Sequence, residues 1–283
     1  ELLIERLRDE LDSRGYPVDI VQLPFAAVPN NALVHQMALW RSLDLTAFAG
    51  REVDIVIPTK FPSYLAPHHC KRPWIIHQHR QLYELYGSRY GDFTAEPIDE
   101  SLRRMVFRAD SVALAECERI FTISQNVSER LERYLGVQST PLLPPPPLAG
   151  AYYSGEKQRY LLSVGRLCSI KRVDMAIRAM AHLPQELTLK IVGQPDEPAI
   201  KAYLQSEVEK HHLWGRVEFL GRVEKEELLK LFAEAFAVYY APFDEDFGFV
   251  TLESLLSGTP VITTLDSGTV LEFVGHERNG LIA

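Results

Sequence analysis

Residues 245–253 read EDFGFVTLE, and SLLSGTPVI follows through residue 262. Glu245 and Glu253 stand eight positions apart with Gly248 between them. The preceding run AVYYA, residues 237–241, has the pattern of a buried strand. Residues 242–248 read as a loop and 250–257 as a helix. A loop that leads from a strand end into a helix presents free backbone N–H groups and the positive end of the helix dipole, which together bind anions. Gly248 allows close approach of a ligand to the backbone. A glutamate at a helix end is most often merely solvated. Two of them around Phe247-Gly248 at a strand end point to a site. A glycosidase pair is disfavoured. Retaining glycosidases hold their carboxyls about 5 Å apart, whereas a loop plus one helical turn separates them by on the order of 10 Å.

A second stretch supplies cations. Residues 160–165 (YLLSVG) read as a strand ending at Gly165, and Arg166, Lys171 and Arg172 follow. Val173, Ala176, Ile177 and Met180 then mark one apolar helical face. The three cations crowd a helix N-terminus, where the dipole is already positive and Asp174 offsets only part of the charge. A bound anion explains them, and a diphosphate suits Arg and Lys chemistry. Arg166 and Lys171 are the expected ligands. For Arg172 a solvated face is sufficient explanation.

These two stretches resemble the E-x7-E and S-V-G-R-L-x-x-x-K motifs of family 4 glycosyltransferases. The resemblance implies a GT-B fold, an α/β architecture of two doubly wound Rossmann-like domains facing a cleft. It implies transfer of a hexose from a UDP- or GDP-sugar to a glycan or lipid-linked acceptor, with retention of anomeric configuration. By the same resemblance, Glu245 faces donor-sugar hydroxyls and Glu253 the ribose hydroxyls. The backbone of Gly248, Phe249 and Val250, with Phe247 beside it, caps sugar and phosphate. Gly165, Gly193, Arg222 and Val223 border the nucleotide. His77, in the strand-end run Ile75-Ile76-His77-Gln78, matches a histidine near the reacting sugar, although Gln78 stands where many members have Asp. Arg166, Lys171, Glu245 and His77 form the expected catalytic set. No cofactor and no metal are expected. Asp244 and Asp246 form a D-x-D, but it lies inside the E-x7-E loop and is read as part of that loop. His79 and Arg80 are weaker candidates. Ser124, before Gln125-Asn126-Val127, is equally well an N-cap. The stretch from Asp266 to Glu272 resembles a further family loop in which Thr269 replaces a glycine. A hydrolase or epimerase of the same fold, or a non-catalytic nucleotide-sugar binding module, are the alternatives.

The rest of the chain is consistent with this reading. Its 283 residues suffice for two domains. A net charge of −8 argues against a nucleic-acid partner. Three cysteines without paired spacing suit a reducing cytoplasm. The family resemblance implies polysaccharide assembly as the setting, at the inner face of a membrane. Candidate strands at 18–23, 53–57, 74–77 and 120–124, then 160–164, 187–192, 217–220, 237–241 and 261–264, alternate with helical patterns. Parallel sheets follow from that alternation. The proline-rich stretch 141–150 reads as a linker. The expected division is 1–145, an acceptor-side domain lacking its first strand, and 152–283, a nucleotide-sugar domain lacking its C-terminal end.

Overall fold

Four consecutive prolines, Pro144 to Pro147, have no backbone N–H to give to a sheet. Directly after them the chain divides into two units, Glu1–Pro147 and Leu148–Ala283. The computed structural model describes residues 2–25, 32–94 and 96–283.

In the first unit, α1 (Leu2–Ser13) and α2 (Ala32–Arg41) precede a short antiparallel pair, β1 (Ala47–Phe48) and β2 (Arg51–Glu52). A three-stranded parallel sheet follows in the order β3 (Trp74–Ile75), β4 (Phe121–Thr122) and β5 (Thr140–Pro141). Helices α3 (Pro97–Ala115) and α4 (Gln125–Leu135) connect these strands. Two expectations change here. Residues 18–23 form no strand. Ile20 and Val21 are exposed, and no described strand offers that segment a ladder. Residues 53–57 form no named strand either. Val56 and the residues after it pair with 70–76 through irregular backbone hydrogen bonds and one bridge, Val56 to Lys71. The unit buries charge as well as carbon. Tyr83 donates to Asp110 at 2.6 Å, and burial pushes that carboxyl up to about 7. Arg80 and Arg130 both donate to Glu84 beneath the surface, at 2.5 and 2.8 Å.

The second unit is a six-stranded parallel sheet. Its strands are β6 (Tyr160–Val164), β7 (Thr188–Val192), β8 (Val217–Gly221), β9 (Ala237–Tyr239), β10 (Val261–Thr263) and β11 (Gly280–Ile282). Their order is β8-β7-β6-β9-β10-β11, the doubly wound dinucleotide-fold order. Alternate residues serve opposite faces. Leu161, Leu189 and Ile191 pack with Val173, Ala176, Ile177 and Met180 of α5 (Val173–Met180) and with Leu204 and Val208 of α6 (Pro198–Lys210). Tyr160, Leu162 and Val238 pack on the other side with Leu231 and Phe232 of α7 (Lys225–Glu234). Helices α8 (Phe249–Leu256) and α9 (Val270–Phe273) complete that side. The central strands β6 and β9 are buried along nearly their whole length, which makes their sequence signal strong.

Chain direction across the sheet reverses between β6 and β9. Such a switch point leaves a crevice at the C-terminal strand ends. Two features hold it in shape. Gly193, after β7, packs so close to Gly165, after β6, that a Cβ on Gly193 would lie 1.8 Å from the Gly165 carbonyl oxygen. The second is Arg172. It is 5% exposed, sits in the left-handed region at φ 52°, and ties three strand ends together. Its guanidinium donates to the carbonyls of Ala241 (2.7 Å) and Pro242 (3.0 Å), to Thr264 Oγ1 (2.7 Å) and to both carboxylate oxygens of Asp266 (2.7 and 2.8 Å). The Asp266 carboxyl is held below its usual range by that pairing. The expected solvated face for Arg172 is therefore corrected: the residue is a buried clamp, because its flat set of donors matches acceptors from two loops at once.

Two predictions follow from this geometry. Gly165 and Gly193 share a strained backbone, φ +145° and +143°, but a Cβ on Gly165 meets nothing within 4 Å. In urea denaturation Gly165→Ala should cost about 1–3 kcal/mol from strain alone, and Gly193→Ala clearly more. Equal losses would refute the close-contact account. Arg172→Met should cost about 3–5 kcal/mol by leaving Asp266 and two carbonyls without their donor. Arg166→Met, removing a pair on the surface, should cost at most about 1 kcal/mol.

Candidate functional site

Loops after β6 and β9 meet at the switch point, and their side chains converge. The 3-10 turn Ser169–Lys171 brings the Lys171 ammonium to the Tyr240 hydroxyl at 3.1 Å and into an ion pair with Glu245. The ammonium also stands 5.3 Å from the Tyr240 ring centroid, within cation–π range. Tyr240 is buried beyond the end of β9, and its phenol is pushed well up, first by burial and then by the charges of Glu245 and Glu253. It stays a neutral donor at physiological pH.

The 242–248 loop is fastened from below by the loop after β10. Glu245 bridges Gly268, its carbonyl accepts from the Thr269 N–H at 3.1 Å, and the Asp246 carbonyl accepts from the Thr269 hydroxyl at 2.9 Å. Thr269, which takes a glycine's place in the family loop, thus pins the Glu245 loop from the core. Phe247 is buried against Phe249 and Phe273, at centroid distances of 4.6 and 5.6 Å. Its ring anchors the loop in the core.

Gly248 caps α8 at φ 78°, ψ 58°, a conformation suited to glycine. A Cβ there would also come within 3.1 Å of the Tyr240 ring. Beyond it the N–H groups of Phe249 and Val250 lie in the first turn of α8, without intrahelical acceptors. One turn later, the Glu253 carboxyl is largely buried. Burial holds it above its usual range, and a hydrogen bond of 3.1 Å from the Tyr152 hydroxyl opposes the shift.

The idea of three uncompensated cations does not survive. Each has a carboxylate of its own from another loop: Arg166 with Asp196 at 2.8 Å, Lys171 with Glu245, and Arg172 with Asp266. The sequence could not show this, because those acids lie 30 to 94 positions away. The Arg166 side chain is 71% exposed on the crevice rim, apart from the Lys171–Glu245 pair. The Gly193 N–H donates to Gly221 at 2.8 Å, which places both glycines at neighbouring strand ends. Arg222 is exposed, and Val223 packs against the core.

In the first unit, His77 follows β3 and bridges Lys60. Its Nδ1–H donates to the Gln78 carbonyl at 2.7 Å, which in the neutral ring leaves Nε2 as the acceptor. His79 is structural. Its ring lies among Phe25, Phe61 and Phe93, and burial, with a smaller effect of His77, lowers its pKa to about 4. Arg80 is engaged with Glu84. Ser124 is buried and caps α4, its hydroxyl accepting from the Val127 N–H at 3.1 Å. Tyr152 and Tyr240 were not anticipated as site residues. A tyrosine at a strand end reads as core, and the Tyr152 contact spans 101 positions without a local signal.

Comparisons with known proteins fit this geometry. Residues 151–283 match the family of glycosyl transferases group 1. An uncharacterized glycosyltransferase of Methanocaldococcus jannaschii is 33% identical over 128 residues, 44% of this chain and 32% of that protein. The O-antigen chain mannosyltransferase of Salmonella typhimurium is 26% identical over 177 residues, 59% of this chain and 48% of that protein. The chain thus spans between about a third and a half of the length of these curated relatives. Among solved structures, sucrose-phosphate synthase of Thermosynechococcus elongatus superposes with a TM-score of 0.76 at 18% identity, covering 99% of this chain and 78% of that one. Anabaena HepE in complex with UDP and glucose gives 0.63 at 17% identity, covering 98% and 74%. At these identities the likeness is one of fold, and the fold is GT-B. Residues 151–283 are thus a group 1 glycosyl transferase domain, similar to the family 4 enzymes, and the fold is GT-B.

Proposed function

We propose that the protein is a retaining hexosyltransferase that moves a sugar from UDP or GDP to a glycan or lipid-linked acceptor. The observation that carries this reading is the meeting of Lys171, Glu245, Tyr240 and the α8 N-terminus at the switch point of the second sheet. Cation, backbone donors and helix dipole all favour a diphosphate there. Solved relatives of the same fold hold UDP with glucose, or UDP-glucose, which supports a UDP-sugar donor. Glu245 and Glu253 supply carboxylates for the hydroxyls of sugar and ribose, with Gly165, Gly193, Arg222 and Val223 bordering the nucleotide.

In the reaction the acceptor hydroxyl attacks the anomeric carbon on the face that the nucleotide leaves. The bond from that carbon to the diphosphate oxygen breaks, and the departing oxygen takes the acceptor's proton. Lys171, Arg166 and the N–H groups of Phe249 and Val250 stabilise the charge that grows on the diphosphate, the term that usually dominates such catalysis. To do so, Lys171 exchanges part of its pairing with Glu245 for phosphate oxygens, and Glu245 is released toward sugar hydroxyls. His77, with Nε2 free to accept, serves the reacting sugar. Cations take the place that a metal holds elsewhere.

Polysaccharide assembly on the cytoplasmic side of a membrane is the proposed setting. The mannosyltransferase relative supports it. So does the outer face of α3, where exposed Ile98, Met105 and Val112 recur every seven residues beside exposed Arg104 and Arg108, a pattern suited to an anionic lipid surface. Among the described residues no helix is long and apolar enough to cross a membrane.

Lys171→Ala should weaken UDP or GDP binding by about ten-fold or more in calorimetry, as expected for a lost charge-assisted phosphate bond. His77→Ala should leave that affinity nearly unchanged while transfer falls sharply. Unaltered nucleotide affinity in Lys171→Ala would overturn the diphosphate assignment, and lost binding in a folded His77→Ala would overturn the division of roles. Binding and transfer should also persist in EDTA. Loss in EDTA with recovery in manganese would instead make Asp244 and Asp246 metal ligands.

A further inference from the structure

The chain enters its second unit along α8, and it does so through polar contacts. The Tyr152 hydroxyl donates to Glu253 Oε1 at 3.1 Å. The Ser154 hydroxyl lies 2.9 Å from where a Cβ on Gly258 would be, just past the helix end. Lys157 Nζ then donates to Thr259 Oγ1 at 2.6 Å, to the Ala233 carbonyl at 2.7 Å and to the Ser257 carbonyl at 3.4 Å. Residues 152–157 are therefore stapled along the helix that carries Glu253, with the Lys157 end fixed by carbonyls at the end of α7 and just past α8. Tyr152 is placed by that staple, five residues from the unit boundary at Pro147.

We infer that Tyr152 is the positioning residue for Glu253: its hydroxyl occupies Oε1 and so presents Oε2 to the ligand's ribose hydroxyls. The inference rests on the proposed role of Glu253 as the ribose carboxylate. A glutamate has three side-chain torsions, and one fixed hydrogen bond removes much of the rotational freedom that binding would otherwise have to freeze. The same O–H matters for charge. The ionised carboxylate is the strong acceptor for a sugar hydroxyl. Burial works against ionisation at this position, and the Tyr152 donor works for it. Tyr240 also faces the carboxyl, and its phenol stays neutral. Binding through ionised Glu253 is lost as the pH falls through the carboxyl's pKa. Removing the Tyr152 hydroxyl raises that pKa, so the loss must begin at a higher pH.

Tyr152→Phe, Glu253→Gln and the double variant of the full chain test this by calorimetric titration with UDP, GDP and pyrophosphate across a range of pH. Tyr152→Phe should bind the preferred nucleotide about five- to ten-fold more weakly near neutral pH, in keeping with a hydrogen bond to a charged group. Its acid limb should move to higher pH, and its affinity for pyrophosphate, which has no ribose, should not change. The double variant should bind no worse than Glu253→Gln, because Tyr152 acts through Glu253. If Tyr152→Phe matches the wild type in affinity and acid limb while Glu253→Gln is weakened, the positioning role is wrong and the ribose role stands. If the double variant loses the product of both single losses, Tyr152 acts elsewhere. If Glu253→Gln itself binds as the wild type does, the ribose role falls and the positioning role with it.

Discussion

One buried guanidinium holds the crevice of the second unit in shape. Arg172 lies in the loop between β6 and α5, yet its donors are spent on the ends of β9 and β10. Parallel strands are joined to one another by ladder hydrogen bonds only while they remain strands. Past their ends the connecting loops have no ladder, and something else must set their spacing. Arg172 does so with a rigid fork that cannot lose its proton. Through it the loop bearing Lys171, the loop bearing Glu245 and the loop bearing Asp266 have a common origin. A residue in the left-handed region costs free energy, and here five hydrogen bonds offset it.

What rests on that clamp is layered. The Asp266 side of it continues to Ser267 and Gly268, which pair with the backbone of Glu245. Thr269 adds a hydroxyl and an amide to the same loop. Phe247 closes the layer from the core with two aromatic neighbours. Glu245 and Gly248 are therefore held by backbone contacts and buried rings, and their reactive faces need not contribute to stability. A site built in this way keeps its shape without its ligand, which is the arrangement that electrostatic preorganisation requires.

The sequence is legible where one residue pattern has one structural meaning. The runs at 160–164 and 217–220 become β6 and β8 with at most one residue of difference, because short β-branched, aromatic and leucine-rich runs bounded by loops favour strands. Helices α3, α4, α6 and α7 lie in the gaps between the expected strands, where the sequence has helical patterns. The segment 18–23 fails for the opposite reason: a strand is a pairing, and apolar character does not report whether a partner is present. The site divides in the same way. The types and order of Lys171, Glu245, Gly248 and Glu253 could be read from the chain, since a strand end and a helix start lie close in sequence. Their electrostatic partners could not. Asp196, Asp266 and Tyr152 reach the site across 30 to 101 positions, and nothing local announces them. Arg172 was misjudged because an arginine beside a helix start has solvent as its ordinary surroundings.

On the proposed reading, the ion pair between Lys171 and Glu245 has a consequence for which anions the crevice retains. Inorganic phosphate and sulfate are lone anions without sugar hydroxyls. A bare ammonium beside a helix N-terminus would collect them. On the proposed reading, a lone anion binds more weakly than a nucleotide sugar does, since the gain at Lys171 is partly offset by stranding Glu245. A guest that carries a diphosphate at one end and hydroxyls at the other settles both halves of the pair together. On that reading the pair acts as a coincidence detector, and chemical discrimination is set before any reaction begins.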